Sequence, residues 1–162
     1  MWRRCSKADL RELYQEIILD HSRNPRFFGI KENAVLHKSC YNPLCGDKIE
    51  VFCEQQKGVI THLTFTGEGC AISVASGSLM AEALQGLTVQ EAKLLFYNYQ
   101  ALVTGEDLPN VDSDLGKLRI MESVRQFPMR VKCATCAWHA FMGAIEEKEG
   151  IIQTESKEEN NE

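Results

Sequence analysis

Long apolar runs are missing from this sequence. No stretch approaches the roughly 20 consecutive apolar residues that a membrane-spanning helix needs, and residues 1–5 lack the apolar segment of a secretory signal peptide. Both absences argue against insertion into a membrane and against export. We therefore expect a cytoplasmic protein without a membrane partner.

Positive charge is also scarce. The chain carries 18 Lys and Arg against 23 Asp and Glu, a net charge of −5, whereas nucleic-acid binding needs a concentrated basic surface that neutralises phosphates. The composition argues against nucleic acid and favours a protein or a small ion as the partner. Because 162 residues with 44% hydrophobic content can bury one core, we predict a single domain over residues 1–150.

Cysteine, in contrast, is abundant, with seven in the chain. Disulfides are rare in the cytosol, so this count indicates metal binding or thiol chemistry. Packing is the alternative for any single cysteine, because a free cysteine is also a small buried hydrophobe.

Alternating apolar residues predict two strands, over 48–54 and 59–66, joined by a turn at 56–58 into an antiparallel hairpin. The residues expected on one face are Ile49, Val51 and Cys53 in the first strand and Val59, Thr61, Leu63 and Phe65 in the second. The stretch 26–41 shows no sustained period, so no strand is predicted there.

Helical spacing of apolar residues predicts five helices. They cover 6–21, 71–83, 88–103, about 113–125, and a last segment that follows Cys133. Thr88 and Glu91 form a capping box, and Pro128 should interrupt the fourth helix. Strands followed by several helices indicate an α+β domain, a small antiparallel sheet with helices packed on one face. The tail 151–162, rich in Glu, Lys and Asn, is predicted to be disordered.

Three cysteines stand at positions that suit metal binding. In Cys45-Gly46-Asp47 the glycine lets the backbone bend so that a thiolate and a carboxylate can face one ion, although such a tripeptide is more often only a turn. Cys70 and Cys133 are each expected to open a helix, where unsatisfied amides and the helix dipole favour the thiolate.

Four motifs, in order, resemble the SufU branch of the U-type iron–sulfur scaffold family over nearly all of residues 10–145. They are Leu13-Tyr14 with Asp20-His21-Ser22, the run Asn42-Pro43-Leu44-Cys45-Gly46-Asp47, the run Gly67-Glu68-Gly69-Cys70-Ala71-Ile72-Ser73, and the run from Phe127 to Thr135. The IscU branch carries a histidine immediately before the last cysteine, where this chain has Lys132. The SufU branch also has an inserted segment, matched here by 106–126, which we expect to supply a further long helix.

The resemblance implies a SufE/NifU-like fold and a tetrahedral zinc ion held by four ligands. These are Cys45, Asp47, Cys70 and Cys133, and thiolates and carboxylates are normal zinc donors. Three thiolates and a carboxylate overbalance the charge of the ion. The neighbouring cations that could compensate, or contact a partner, are Lys48, Arg130 and Lys132.

The activity that the resemblance implies is sulfur transfer. A cysteine desulfurase that uses pyridoxal phosphate, similar to SufS, would present a persulfide whose outer sulfur the Cys45 thiolate attacks, while a desulfurase histidine takes the place of Cys45 on zinc. Two alternatives stay open. The same cysteines could hold a transient [2Fe–2S] cluster for acceptor proteins, or the zinc site could only recruit a partner.

The remaining cysteines and histidines have plainer interpretations. Cys133 and Cys136 spell C-x-x-C, but no βαβ pattern precedes them, so we expect Cys136 to pack in the core rather than to act as a redox partner. Cys53 should be buried on its strand, and Cys40 is a secondary thiol close to Cys45 in sequence. The four histidines, His21, His37, His62 and His139, are expected to be surface or hydrogen-bonded residues.

Overall fold

The computed structural model describes residues 7–109, 114–147 and 152–153. The elements in chain order are α1 (Lys7–Arg23), β1 (Leu36–Asn42), β2 (Asp47–Gln56), β3 (Val59–Glu68), α2 (Ala71–Leu84), α3 (Val89–Thr104), a 3₁₀ helix (Gly116–Gln126), α4 (Pro128–Ile145) and β4 (Ile152–Gln153). Within these residues, no helix combines the length and the hydropathy that a membrane crossing requires.

The sheet has the strand order β3-β2-β1-β4. The first three strands are antiparallel, and the two residues of β4 run parallel to β1, with Ile152 opposite Cys40. The α+β class with a small antiparallel sheet is therefore confirmed. Strand β1 lies in the stretch for which no strand was predicted, and the tail expected to be disordered contains β4. The other residues of that tail lie outside the described part of the chain.

A β-bulge changes the face that β3 turns toward the core. Glu54 pairs with His62 but Gln55 pairs with Ile60, so Thr61 is the extra residue on β3. Because one added residue reverses the side-chain alternation, Ile60 is buried at the start of the strand. The prediction placed Val59 and Thr61 on the buried side, and it holds only beyond the bulge, at Leu63 and Phe65.

The segment after α3 is not the α-helix that was predicted. Residues 116–126 form a 3₁₀ helix, and 110–113 lie outside the described residues. The buried apolar side chains of this segment recur every three residues, at Leu115, Leu118, Met121 and Val124. A 3₁₀ helix has three residues per turn, so this spacing places all four on one side. The inserted segment therefore contributes a 3₁₀ helix and not a long α-helix.

Helix α4 begins earlier than the sequence predicted. Pro128 stands in its first turn, where a missing N–H costs nothing and the fixed φ suits the helix. The proline thus separates the 3₁₀ helix from α4 and starts α4. Cys133 consequently lies in the second turn of the helix, and its expected placement at a helix N-terminus was wrong.

Hydrogen bonds from two neighbouring helices fix α4 beside the sheet. The Tyr99 hydroxyl on α3 donates to the carbonyl of Ala134 at 2.8 Å, and the Ser76 hydroxyl on α2 donates to the same carbonyl. The Tyr99 ring also stacks on Trp138, with 4.5 Å between ring centroids. All four residues are buried, so the backbone next to Cys133 is anchored within the core.

Candidate metal centre

Three of the four predicted ligands converge at the end of the sheet. The ligand atoms of Cys45, Asp47 and Cys133 all lie within 4.8 Å of one another. The first two come from the β1–β2 hairpin and the third from α4. The cluster therefore joins the turn of a hairpin to the helix that packs on the sheet.

The β1–β2 hairpin places Cys45 and Asp47 on one side. Asn42 pairs with Asp47 and closes a turn of residues 43–46, in which Gly46 adopts a φ of +70° that a residue with a Cβ adopts at a cost. Cys45 lies in this turn and is half-buried, while Asp47 is the first residue of β2 and is fully buried. The bend expected at Gly46 is present.

Both oxygens of the Asp47 carboxylate accept hydrogen bonds. The side-chain amide of Asn42 donates to Oδ2 at 3.1 Å, and the backbone N–H of Cys70 donates to Oδ1 at 2.9 Å. Gly69 makes the second bond possible, because a Cβ at this position would collide with Oδ1. Gly69 was expected only to free the backbone before Cys70, and no contact of Asn42 with Asp47 was predicted, although both residues stand inside the motifs that carry the family resemblance.

Cys70 lies beside this cluster but is not one of its three members. It is the N-cap residue of α2, as the sequence predicted. Its thiol is hydrogen-bonded to that of Cys133, and this bond lowers the pKa of Cys70 to about 6, assisted by the backbone N–H of Ser73. The pKa of Cys133 rises, because its thiol is the donor to Cys70 and is also buried. Of these two thiols, Cys70 is therefore the one whose surroundings favour the thiolate.

Of the three cations proposed from the sequence, Arg130 contacts the cluster. Its Nη1 lies 3.7 Å from Sγ of Cys45, and the hydrogen bond with Cys133, together with the charges of the cysteines, raises the pKa of the guanidinium. Lys48 is exposed and follows Asp47 on β2, so its side chain points to the opposite face of the sheet. Lys132 is half-buried on α4, and its role as a supporting charge or partner contact stays a prediction.

The donor set fits a tetrahedral zinc ion. With Zn–S bonds of about 2.3 Å and Zn–O bonds of about 2.0–2.2 Å, tetrahedral ligand atoms lie roughly 3.5–3.8 Å apart. Separations below 4.8 Å therefore need only small side-chain adjustments for three of the ligands. Cys70 is hydrogen-bonded to Cys133 but lies outside this group of three.

The part of the chain that contains these cysteines and Asp47 is similar to known proteins. Positions 13–134 match the family described as the NifU-like N terminal domain. The chain belongs to this family. It is 33% identical over 143 residues to the zinc-dependent sulfurtransferase SufU of Bacillus subtilis. The aligned region covers 88% of this chain and 96% of that protein. It is 35% identical to the iron–sulfur cluster assembly scaffold protein IscU of Streptococcus pyogenes, over 85% of this chain and 86% of that one.

Solved structures confirm the fold of this NifU-like domain. The crystal structure of an iron–sulfur cluster assembly scaffold protein for the SUF system, from Fervidobacterium islandicum AW-1, superposes with a TM-score of 0.77. It is 32% identical and covers 83% of this chain and 98% of that chain. A NifU-like protein from Brucella abortus, 23% identical with a TM-score of 0.72, shares the fold.

Other cysteines of this NifU-like domain lie in the core. Cys40 on β1 and Cys136 on α4 are fully buried and hydrogen-bonded to each other, which raises the pKa of Cys136. Burial raises the pKa of Cys53 to about 11. Packing, as predicted for Cys53 and Cys136, agrees with these positions, and such thiols are poor nucleophiles at neutral pH.

The four histidines have contacts away from the cluster. His21 is buried, and its Nδ1 lies 2.7 Å from the hydroxyl of Ser78. His37 and His62 face Glu50 and Glu54 across the sheet surface, at 3.7 and 3.3 Å, and the His139 ring packs edge-on against Phe96. The expectation of surface or hydrogen-bonded histidines is therefore in agreement with the structure.

Proposed function

We propose that this chain is an iron–sulfur cluster assembly protein that acts as a zinc-dependent sulfurtransferase. Its ligands are Cys45, Asp47, Cys70 and Cys133, and Cys45 is the sulfur acceptor. The observation that carries the proposal is the convergence of Cys45, Asp47 and Cys133 within 4.8 Å, beside the low-pKa thiol of Cys70. The name and the coverage of the Bacillus subtilis relative support it.

Bound zinc would keep the coordinating thiols deprotonated and hold them together, without redox chemistry of its own. The protein residues then differ in how firmly they are placed. Cys133 lies inside a buried helix, Cys70 caps α2, and both oxygens of Asp47 are held by donors. Cys45 lies in a hairpin turn, and the preceding residue of that turn, Leu44, is 52% exposed. Cys45 is therefore the ligand that can leave with the least disturbance of packed helices.

The transfer step is a thiol–persulfide exchange. The Cys45 thiolate attacks the outer sulfur of a persulfide on a partner cysteine. A bond forms between Sγ of Cys45 and that outer sulfur, and the S–S bond of the partner persulfide breaks. Cys45 leaves as a persulfide that keeps the proton of the transferred sulfur, and the partner cysteine leaves as a thiolate. No external oxidant or reductant is consumed.

The partner in this proposal is a cysteine desulfurase of the SufS type, a pyridoxal phosphate enzyme. One of its histidines would occupy the position that Cys45 vacates. Arg130, exposed and 3.7 Å from Sγ of Cys45, would balance negative charge while the two thiolates are close. The sulfur would pass on to iron–sulfur scaffold or acceptor proteins, and the compartment is the cytoplasm, where thiols stay reduced.

A second candidate function is supported by the relative from Streptococcus pyogenes, which is named a scaffold protein. In that function the same thiolates would hold a transient [2Fe–2S] cluster and release it to acceptor proteins, since soft thiolate ligands bind iron–sulfur clusters as well as zinc.

Metal analysis of anaerobically purified protein, combined with a desulfurase turnover assay, distinguishes the two functions. The sulfurtransferase proposal expects one zinc per chain, little iron, and faster turnover of the desulfurase when the protein is added. Stoichiometric iron and acid-labile sulfide, with no effect on turnover, would favour the scaffold.

A further inference from the structure

We propose that Asn42 is a positioning residue of the metal centre, whose side-chain amide fixes two ligands from different elements, Asp47 and Cys133, relative to each other. The inference rests on the proposed metal site and assigns a function to a residue outside the ligand set. Asn42 is the last residue of β1 and is fully buried.

The contacts of Asn42 bridge the hairpin and the helix. Its Nδ2 lies 3.1 Å from Oδ2 of Asp47 and 3.4 Å from Sγ of Cys133. A primary amide has two N–H donors, one for each acceptor. An ionised carboxylate can only accept, and a metal-bound thiolate can only accept, so the chemistry of the two neighbours requires the nitrogen, and not the oxygen, to face them.

The register of β1 and β2 explains why the side chain of Asn42 reaches Asp47. Asn42 and Asp47 are direct cross-strand partners, and such partners place their side chains next to each other on one face of the sheet. The residues between them form the turn that carries Cys45. Asn42 therefore fixes Asp47 from β1, so the position of the carboxylate does not depend on the conformation of the turn.

This arrangement separates the fixed ligands from the one proposed to move. If Cys45 leaves during transfer, Asp47 and Cys133 must keep their positions without it. Oδ1 of Asp47 is held by the N–H of Cys70, and Oδ2 together with the Cys133 sulfur is held by Asn42. Without Asn42, a buried carboxylate oxygen and a buried sulfur would each lose a donor, which is costly in a site shielded from water.

The expected loss of zinc affinity can be taken from other metal sites in which a residue that hydrogen-bonds to a ligand was replaced. Loss of a hydrogen-bond donor to a metal ligand costs about 10–100-fold in metal affinity. Asn42→Leu keeps the approximate volume and removes both donors. Asn42→Ser, which is smaller and keeps one hydroxyl donor, should give an intermediate loss, and it serves as the informative variant if the leucine variant does not fold.

The matched control is Asn98→Leu, the same replacement at another fully buried asparagine, on α3. Zinc affinity is measured for each variant by competition with a chelator, and melting temperature is recorded in parallel. Cobalt(II) is then substituted for zinc, because its visible absorption reports the geometry of the ligands. A purely structural role of Asn42 would lower the melting temperature without changing that spectrum.

The inference predicts that Asn42→Leu weakens zinc binding 10–100-fold and shifts the cobalt absorption bands, while Asn98→Leu retains the affinity and the spectrum of the unmodified protein. It is overturned if the Asn42 variants that fold bind zinc within about threefold of the unmodified protein with an unchanged spectrum, or if Asn98→Leu loses as much affinity. Failure of the unmodified protein to bind zinc or cobalt would instead refute the metal site, and with it the proposed function.

Discussion

The backbone N–H of Cys70 donates a 2.9 Å hydrogen bond to Oδ1 of Asp47. This bond joins the first residue of β2 to the N-cap residue of α2. The carboxylate takes one of the donors that every helix leaves unsatisfied at its start, and it is also a candidate zinc ligand. The position of Asp47 is thereby tied to the start of α2.

Gly69→Ala should reduce the zinc content of the folded protein. The added Cβ would collide with Oδ1 of Asp47 and push the carboxylate away from Cys70. Gly77→Ala is the matched control, because its Cβ would lie 2.7 Å from the ring of Phe65, in the core. We expect the control to lower the melting temperature and to keep zinc, as measured by metal analysis of both proteins. Equal zinc in the two folded variants would contradict this account of Gly69.

Serine at any ligand position should lower zinc content, because each change removes a donor from a four-coordinate site. The variants are Cys45→Ser, Cys70→Ser, Cys133→Ser and Asp47→Ser. Cys53→Ser is the control, since Cys53 is buried in β2 away from the cluster. The zinc-to-protein ratio of each purified variant provides the measurement. A loss of zinc in Cys53→Ser as complete as in Cys70→Ser would refute the ligand assignment.

Removal of zinc should destabilise the fold. The ligands connect the β1–β2 turn with α2 and α4, and a metal bound only by the folded chain stabilises it by about 2.7 kcal/mol at a hundredfold excess over its dissociation constant. For a protein of this size that corresponds to roughly 5–10 °C in melting temperature. Thermal unfolding before and after chelation, with the loss of metal verified, tests it. An unchanged melting temperature would show that the site does not stabilise the fold.

Arg130→Gln should slow sulfur transfer by about tenfold, the effect of roughly 1.4 kcal/mol on a barrier, because the positive charge near Cys45 is removed. Zinc content should stay close to that of the unmodified protein. Arg119→Gln is the control, an exposed arginine on the 3₁₀ helix. Desulfurase-dependent persulfide formation is the measurement, and equal rates for both variants would remove Arg130 from the mechanism.

Features that depend on neighbouring residues in sequence could be predicted. The capping box of Thr88 and Glu91 is present, as both hydrogen bonds form within one turn. The β2–β3 hairpin follows from alternation and from the Lys57-Gly58 turn, whose φ angles of +54° and +78° are typical of a two-residue hairpin. The bend at Gly46 between Cys45 and Asp47 is also local, but only the family resemblance named these two residues as ligands.

Features that depend on distant contacts could not be predicted. Strand β1 reads LHKSCYN, and its buried Asn42 has no hydrophobic signal, because its burial depends on hydrogen bonds to Asp47 and Cys133. The position of Cys133 within α4 was missed because Pro128 was interpreted as a break. The three-residue spacing from Leu115 to Val124 did carry a signal for the 3₁₀ helix, but over eleven residues it is close to the α-helical period.

Mapping of persulfides tests whether Cys45 receives the sulfur. The zinc-loaded protein is incubated with a cysteine desulfurase and cysteine, quenched at early times with an alkylating reagent, and analysed by mass spectrometry for the extra sulfur on each cysteine. We expect the label to appear first on Cys45, with Cys70, Cys133 and Cys136 unlabelled. Early label on Cys70, Cys133 or Cys136, with Cys45 unmodified, would contradict it.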